Sequence, residues 1–239
     1  GELYTEYALR DEMTRRGHVY RTASDTESLV HLYEEEGEAF AARLNGMFAL
    51  AIWDATRRRL VLARDRMGQK PLYYAELPGG GLAFASEPKA LLQHPDVPRD
   101  LDPDGLARYL FYEYVPAPYS IWRGVRKLPR GHVLTWDDGR VRVSRYFPQP
   151  GDPRDPVPPT FTAAADWFWM SLRGAVARHL RSDVPLGVFL SGGVDSSSIA
   201  AAVCETLPPE RVHTFSIGFE DPSFDESAHA RAVAEFLGT

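Results

Sequence analysis

Six of the thirteen residues from Pro148 to Thr160 (PQPGDPRDPVPPT) are proline. Each proline fixes φ and removes a backbone donor, so neither a helix nor a central strand can run through this stretch. It reads as a linker over 148–160, and whatever folds must do so on either side, over residues 1–147 and 161–239.

The two sides have different grammar. Before the linker, short apolar runs separated by turn residues predict strands at Phe48–Trp53, Leu60–Ala63, Leu72–Ala75 and Leu82–Ala85. The turns are Asp54–Arg57 and Gly79-Gly80-Gly81. A helix is expected from Glu6 to Arg16, stopping at Gly17. A second starts at Ser24, where Ser24-Asp25-Thr26-Glu27 has capping-box spacing, and places Leu29, Val30 and Tyr33 on one side. Helices with antiparallel sheet imply a layered α+β domain. After the linker the order is helix, strand, helix, strand, helix. Phe168, Leu172, Val176 and Leu180 recur every four residues in a helix over Ala163–Arg181, and Leu186–Leu190 follows as a buried strand. A helix carrying Ile199 and Val203 on one face, a strand Thr214–Phe219 and a helix from the Ser223–Glu226 capping box to Gly238 complete the pattern. This is the opening of an α/β doubly wound parallel sheet, and two strands are too few to bury its faces.

Composition excludes several classes. With 27 basic and 33 acidic residues the formal charge is −6, and the basic residues form no stripe, so no nucleic-acid partner is expected. No apolar run approaches the ~20 residues a membrane helix needs, and the single cysteine, Cys204, allows no internal disulfide. The expectation is a cytoplasmic protein with no membrane partner. Neither His nor Cys residues fall at metal-ligand spacing, so no zinc site is expected. Arg57-Arg58-Arg59 in a turn and Arg64-Asp65-Arg66 at a strand end read as solvated or ion-paired. The chain opens on Gly1-Glu2-Leu3-Tyr4, which reads as mid-strand, and the expectation is that both ends belong to a longer protein.

Ser191-Gly192-Gly193-Val194-Asp195-Ser196-Ser197 lies between a predicted strand and a predicted helix, where backbone amides and the helix dipole attract a phosphate. It has no lysine and so is not a Walker A loop. Asp195 facing a phosphate region makes sense if Mg²⁺ lies between carboxylate and phosphate oxygens. A plain glycine turn capped by Asp195 and Ser196 is the simpler alternative.

SGGVDSS resembles the pyrophosphate loop of N-type ATP pyrophosphatases, and HTFSIGFED (His213–Asp221) with FDESAHARAVAEFLGT (Phe224–Thr239) resembles their asparagine synthetase branch. The resemblance implies an ATP site at Leu190, Ser191, Gly192, Gly193, Asp195, Ser196, Ile217 and Gly218, with Mg²⁺ on Asp195. Backbone groups at Leu190, Ile217 and Gly218 would hold adenine, while the side chains of Leu190 and Ile217 are expected in the core.

Upstream, GELYTEYALR (from Gly1), SDTE (Ser24), LNGMFALAIWD (Leu44), ARDRMGQKPLYY (Ala63), FASEPKALL (Phe84) and YVPAPYSIWRGVRKLPRGH (Tyr114) resemble the class II glutamine amidotransferase domain of glutamine-hydrolysing asparagine synthetases. That implies an N-terminal-nucleophile fold and a cysteine nucleophile at the first residue of the mature protein, since the free α-amine can serve as its base. Gly1 cannot do this, and Cys204, in the helix after the phosphate loop, reads as a small core residue. The resemblance also implies a glutamine site at Gly1, Glu2 and Asp25. The Gly1 amide would belong to an oxyanion hole and Asp25 would receive the substrate ammonium, an Asn being expected just before Gly1. The implied activity is a ligase reaction on glutamine, aspartate and ATP, with a possible homodimer of the full-length enzyme. Another amide or lactam synthetase of the superfamily, or an inactive amidotransferase-like module, would share these features.

Overall fold

The computed structural model describes residues 1–148, 158–182, 184–221 and 223–239. Most of the proline-rich stretch, residues 149–157, thus lies outside the described residues. The chain divides into two compact units, Gly1–Asp152 and Pro153–Thr239.

The first unit begins with β1 (Glu2–Leu3), α1 (Glu6–Arg15), α2 (Asp25–Glu36) and the single turn α3 (Phe40–Arg43). The mid-strand reading of Gly1–Tyr4 holds for Glu2 and Leu3. α1 stops as expected, where Gly17 takes φ +100°. Ser24 caps α2 by accepting from the Thr26 amide, but Glu27 does not close the box back onto Ser24. Its carboxylate instead takes the amides of Arg21 and Thr22, each at 2.7 Å. The buried side of α2 is Leu29, Leu32 and Tyr33. Val30, expected there, is 46% exposed because one residue is a 100° rotation about the axis, whereas three or four return to the same face.

Then come β2 (Gly46–Met47), β3 (Ala49–Asp54), β4 (Arg59–Arg64), β5 (Tyr73–Glu76), β6 (Leu82–Ala85), α4 (Pro88–Leu91), α5 (Pro103–Tyr112), β7 (Val125–Lys127), β8 (His132–Asp137) and β9 (Arg140–Arg145). β3, β4, β8 and β9 form one antiparallel sheet in that order, and β6, β5 and β7 form a second. The alternation of strand side chains divides their packing. Val61, Ala63 and Val133 face the helices, joining Leu9, Met13, Leu32 and Phe40. Leu62 and Leu134 point the other way, to Leu72, Tyr74 and Leu128 beside the second sheet. On that sheet's far face Ala75 and Val125 meet Leu91 and Val97. Helices, sheet, sheet and a thin outer cover make the layered α+β arrangement the first half of the sequence predicts.

Arg57 and Arg59 are ion-paired, to Asp54 and to Glu38 and Asp137. The Arg64–Arg66 cluster departs from the solvated reading. Asp65 is fully buried, and Arg64 donates to the carbonyls of Lys70, Leu128 and Gly68, each at 2.8 Å. Burial lowers the Arg64 pKa from its ordinary value. The chain turns sharply here, and these side chains satisfy the backbone groups that the turn leaves unpaired.

The second unit contains α6 (Phe161–His179), β10 (Gly187–Phe189), α7 (Val194–Cys204), β11 (His213–Phe215) and α8 (Ser227–Leu237). β10 and β11 are parallel, with Val188 opposite Thr214, as the α/β reading requires. Four expectations need correction. Phe168 is 56% exposed, because a strict four-residue spacing drifts 40° per step and only Leu172, Val176 and Leu180 reach the core. The expected buried strand Leu186–Leu190 is three residues long, and alternation leaves Phe189 78% exposed while Val188 packs beneath the helices. The strand predicted to reach Phe219 ends at Phe215, and Ile217, expected in the core, is 68% exposed. Finally, α8 starts at Ser227 and the Ser223 box does not form: Ser223 donates to Asp221, while Asp225 takes the Ser227 amide. Cys204 is half-buried, and burial pushes its thiol pKa up. No helix among the described residues is long and apolar enough to cross a membrane.

Candidate functional site

Each unit brings together residues singled out from the sequence. In the first, the short ladder of β1 on β2 pairs Glu2 with Met47 and Leu3 with Gly46. Tyr4 extends it by donating to the Asn45 carbonyl at 2.8 Å. The approach is close enough to demand glycine, since a Cβ on Gly46 would lie 2.2 Å from the Glu2 carbonyl oxygen, and one on Gly1 2.7 Å from that of Met47. Asp25, the first residue of α2, is half-buried, and its Oδ2 accepts the Leu3 amide at 3.2 Å. The structure therefore joins the Gly1-Glu2 end of the chain to Asp25 through Leu3, and adds Asn45, Gly46 and Met47 alongside. Sequence reading did not assign those three to the site, although an Asn-Gly step ahead of a strand was the available signal.

The segment between α1 and α2 fixes where Asp25 stands. Arg10 donates to the carbonyls of Thr22 (2.9 Å) and Ser24 (3.1 Å) and lies 4.1 Å over the Tyr20 ring. The Thr22 hydroxyl and the amides of Arg21 and Thr22 converge on Glu27. These contacts lower the Glu27 carboxyl from 4.5 to about 2, the Thr22 hydroxyl contributing most and the Arg21 amide next.

In the second unit Leu190 is buried and donates its amide to the Phe215 carbonyl at 2.8 Å. The chain then leaves β10, turns through Ser191–Gly193 and enters α7. Gly192 has φ +83°, and a Cβ there would lie 2.6 Å from His229 Cβ and 2.8 Å from the Ala230 amide nitrogen, so α8 packs directly on the loop. Ser196 ties the turn: its hydroxyl accepts the Ser191 amide at 3.3 Å and donates to the Gly193 carbonyl at 3.2 Å. Ser197 Oγ is buried without a hydrogen-bond partner. A cavity of about 310 Å³ beside the loop is lined by Leu190, Ser191, Ser196 and Ile217 together with Phe189, Phe215, Ser216, Phe219, Phe224 and Glu226. Gly192, Gly193, Asp195 and Gly218 are not among its lining; Asp195 is exposed on the first turn of α7. The aromatic residues and Glu226 are additions to the sequence-predicted set, and only the misplaced capping box hinted at them.

His18, His31 and Glu34 also converge, in the first unit, where sequence spacing predicts no metal-binding group.

Comparison with known proteins adds a different kind of observation. The family model described as glutamine amidotransferase domain matches residues 1–147, and the model described as asparagine synthase matches residues 170–239. The glutamine-hydrolysing asparagine synthetase 3 of Bacillus subtilis is 38% identical over 95% of the chain, which covers 38% of that protein. The corresponding synthetase 1 of the same organism is 36% identical over the whole chain, covering 37% of it. The chain thus spans under two fifths of the length of these relatives. Among solved structures, the glutamine phosphoribosylpyrophosphate amidotransferase of B. subtilis, complexed with ADP and GMP, aligns with a TM-score of 0.39 at 18% identity. That alignment covers 93% of this chain and 46% of that one.

Proposed function

The chain belongs to the glutamine amidotransferase domain family over residues 1–147, and we propose that it is part of a glutamine-dependent asparagine synthetase. The observation that carries the reading is the order of the two family matches on one chain. An amidotransferase unit is followed by a strand, lysine-free glycine loop and helix that match the asparagine synthase family. In this reading residues 1–147 form the glutamine-binding side of the enzyme without its cysteine nucleophile, 148–160 are the linker, and 161–239 begin the domain that activates aspartate with ATP.

The reading gives each chemical role to a named group. Asp25 receives the α-ammonium of glutamine; its Oδ2 also accepts the Leu3 amide, so the carboxylate is held in one orientation. The Gly1 amide and Glu2 border the substrate carboxamide, the amide donating to the oxyanion as the tetrahedral centre forms. On the other unit, amides of the Ser191–Gly193 turn and the dipole of α7 face the ATP phosphates, and the backbone at Leu190, Ile217 and Gly218 holds adenine. The loop fits a metal-bridged phosphate. It offers the exposed carboxylate of Asp195 and the unpartnered Ser197 hydroxyl, and the segment contains no lysine. Asp195 would hold Mg²⁺, which when bound neutralises charge on the departing pyrophosphate. The aspartate side-chain carboxylate attacks the α-phosphorus of ATP and PPi leaves. Ammonia then displaces AMP from the acyl group, giving asparagine.

The test is Asp195→Asn in the whole enzyme. Isotope exchange between ATP and PPi should be lost while glutamate release from glutamine persists, because the two reactions use residues of different units. Retained exchange would remove Asp195 from the reaction, and equal loss of both activities in a folded protein would refute the division of labour.

A further inference from the structure

The group formed by His18, His31 and Glu34 has an unusual proton balance. His18 follows the Gly17 turn that ends α1, while His31 and Glu34 lie one turn apart on α2. The two Nδ1 atoms are 3.1 Å apart, and Glu34 Oε2 lies 3.2 Å from His31 Nδ1 and 3.5 Å from His18 Nδ1. The outer nitrogens face carboxylates too: His18 Nε2 is 3.0 Å from Glu35 Oε1, and His31 Nε2 is 3.7 Å from Glu27 Oε1.

A carboxylate only accepts, so Glu35 requires the proton of a neutral His18 on Nε2, leaving Nδ1 as a bare lone pair. For His31, a proton on Nδ1 would leave a bare Nε2 facing the Glu27 carboxylate. That nitrogen is already buried without a hydrogen-bond partner, and the arrangement would set two acceptors against each other. With its proton on Nε2 instead, two Nδ1 lone pairs and a carboxylate oxygen converge with nothing to share. Either neutral arrangement thus leaves a buried His31 nitrogen or the converging lone pairs unpaired, and a cation at the centre would satisfy them together.

We infer that His18 Nδ1, His31 Nδ1 and Glu34 Oε2 form a binding site for a divalent transition metal of the Zn²⁺ type. Bonds of about 2.0–2.1 Å in a tetrahedron place ligand atoms about 3.3 Å apart, and the three separations here bracket that value. Glu35 behind the His18 ring is an outer carboxylate of the kind that fixes an imidazole tautomer in metal sites. The fourth position opens to water on the side of Glu34, which is 57% exposed. The metal would clip the end of α1 to the middle of α2, across the segment that leads into Asp25. None of this rests on the synthetase reading.

The experiment is calorimetric titration of the EDTA-treated, dialysed chain with Zn²⁺, and with Co²⁺ followed by its visible spectrum. One equivalent should bind, Co²⁺ should show the intense bands of four-coordination, and a hundredfold excess of Zn²⁺ over its Kd should raise Tm by about 5–10 °C. Glu34→Gln should weaken binding at least tenfold without unfolding the chain, its side chain being mostly exposed, and His18→Gln with His31→Gln should abolish it. His94→Gln, outside the cluster, should leave it unchanged. Absence of saturable one-equivalent binding would show that the pair is held by a proton and overturn the proposal, as would undiminished affinity in Glu34→Gln.

Discussion

Asp65 accepts four backbone amides, those of Phe48 (3.3 Å), Met67 (3.0 Å), Gln69 (2.9 Å) and Lys70 (2.9 Å), with no exposure to solvent. A carboxamide can accept at only one of its two terminal atoms, so Asp65→Asn strands at least one buried amide and turns an –NH₂ toward others. A hydrogen bond to a charged group is worth ~1.5–3 kcal/mol, and urea unfolding should show at least that loss; a change below ~0.5 kcal/mol would mean the turn holds itself. None of this was legible in the sequence, because Arg-Asp-Arg at a strand end has the composition of a solvated patch. What distinguishes it is how many amides the following turn leaves unpaired, a three-dimensional quantity. Asp25 was legible, as the acid behind a helix cap, and the fold adds its bond to Leu3. That bond makes Asp25→Asn a clean probe, since the amide oxygen can still accept from Leu3 while the charge is gone. In the whole enzyme, glutamine binding should weaken by ~1.5–3 kcal/mol with the fold unchanged. An unaltered KM for glutamine would reduce Asp25 to an anchor for β1.

At the scale of elements, legibility followed continuous apolar runs. The β3–β4 hairpin is plain because Leu60–Ala63 is continuously apolar, and β6 was predicted to the residue. The hairpin of β8 and β9 went unread because β9 is Arg-Val-Arg-Val-Ser-Arg, a strand mostly facing water, although Asp138-Gly139 announces its turn. Both turn residues have positive φ, +47° and +81°. The two capping boxes fared differently: Ser24 caps α2 as expected although Glu27 turns elsewhere, while the Ser223 box does not form, because a Ser ahead of a helix offers several local partners and the tertiary surroundings choose among them. For Glu27 the choice was the incoming segment, with a consequence for pH. Its carboxyl sits at about 2 in the folded chain against an ordinary 4.5. A depressed carboxyl favours the folded segment above the unfolded value, and that contribution fades as pH falls through the folded one. The Arg21–Ser24 segment should therefore stay fixed down to pH ~4.5 and loosen toward about 2. Followed by NMR, the Thr22 amide proton should titrate with a midpoint near 2, and Glu27→Gln should abolish the movement. A midpoint near 4.5 would show that the Thr22 and Arg21 contacts do not persist in solution.

Over the whole molecule, the two units differ in how completely they bury their apolar surface. The first has three clusters that fill the spaces between its helices, its two sheets and the outer cover. The second has two smaller clusters, both beneath the helices on the Val188 side of its sheet. On the other side Phe189 is 78% exposed and Phe215 57%, followed by Ile217 at 68%, Phe219 at 56% and Phe224 at 68%. Five large apolar side chains within 36 residues, all of them around the cavity beside the phosphate loop, form a surface that water covers at a cost of about 25 cal/mol per Å². A contiguous patch of this kind is covered in solution by whatever apolar surface is at hand, and in a solution of this chain alone that is a second copy. Sedimentation velocity on the 239-residue chain should therefore show association that grows with concentration and strengthens with added sulfate, since salts excluded from apolar surface favour its burial. Replacing Phe189 and Phe215 by serine should shift the distribution toward monomer without altering the core clusters, because neither side chain belongs to them. The same change on the first unit, at exposed Phe111, is the control for exposed aromatics in general and should leave most of the association in place. A chain that sediments as a monomer at all concentrations would show that the aromatic residues around the loop fold over one another in solution, closing the cavity that the ATP reading requires to be open.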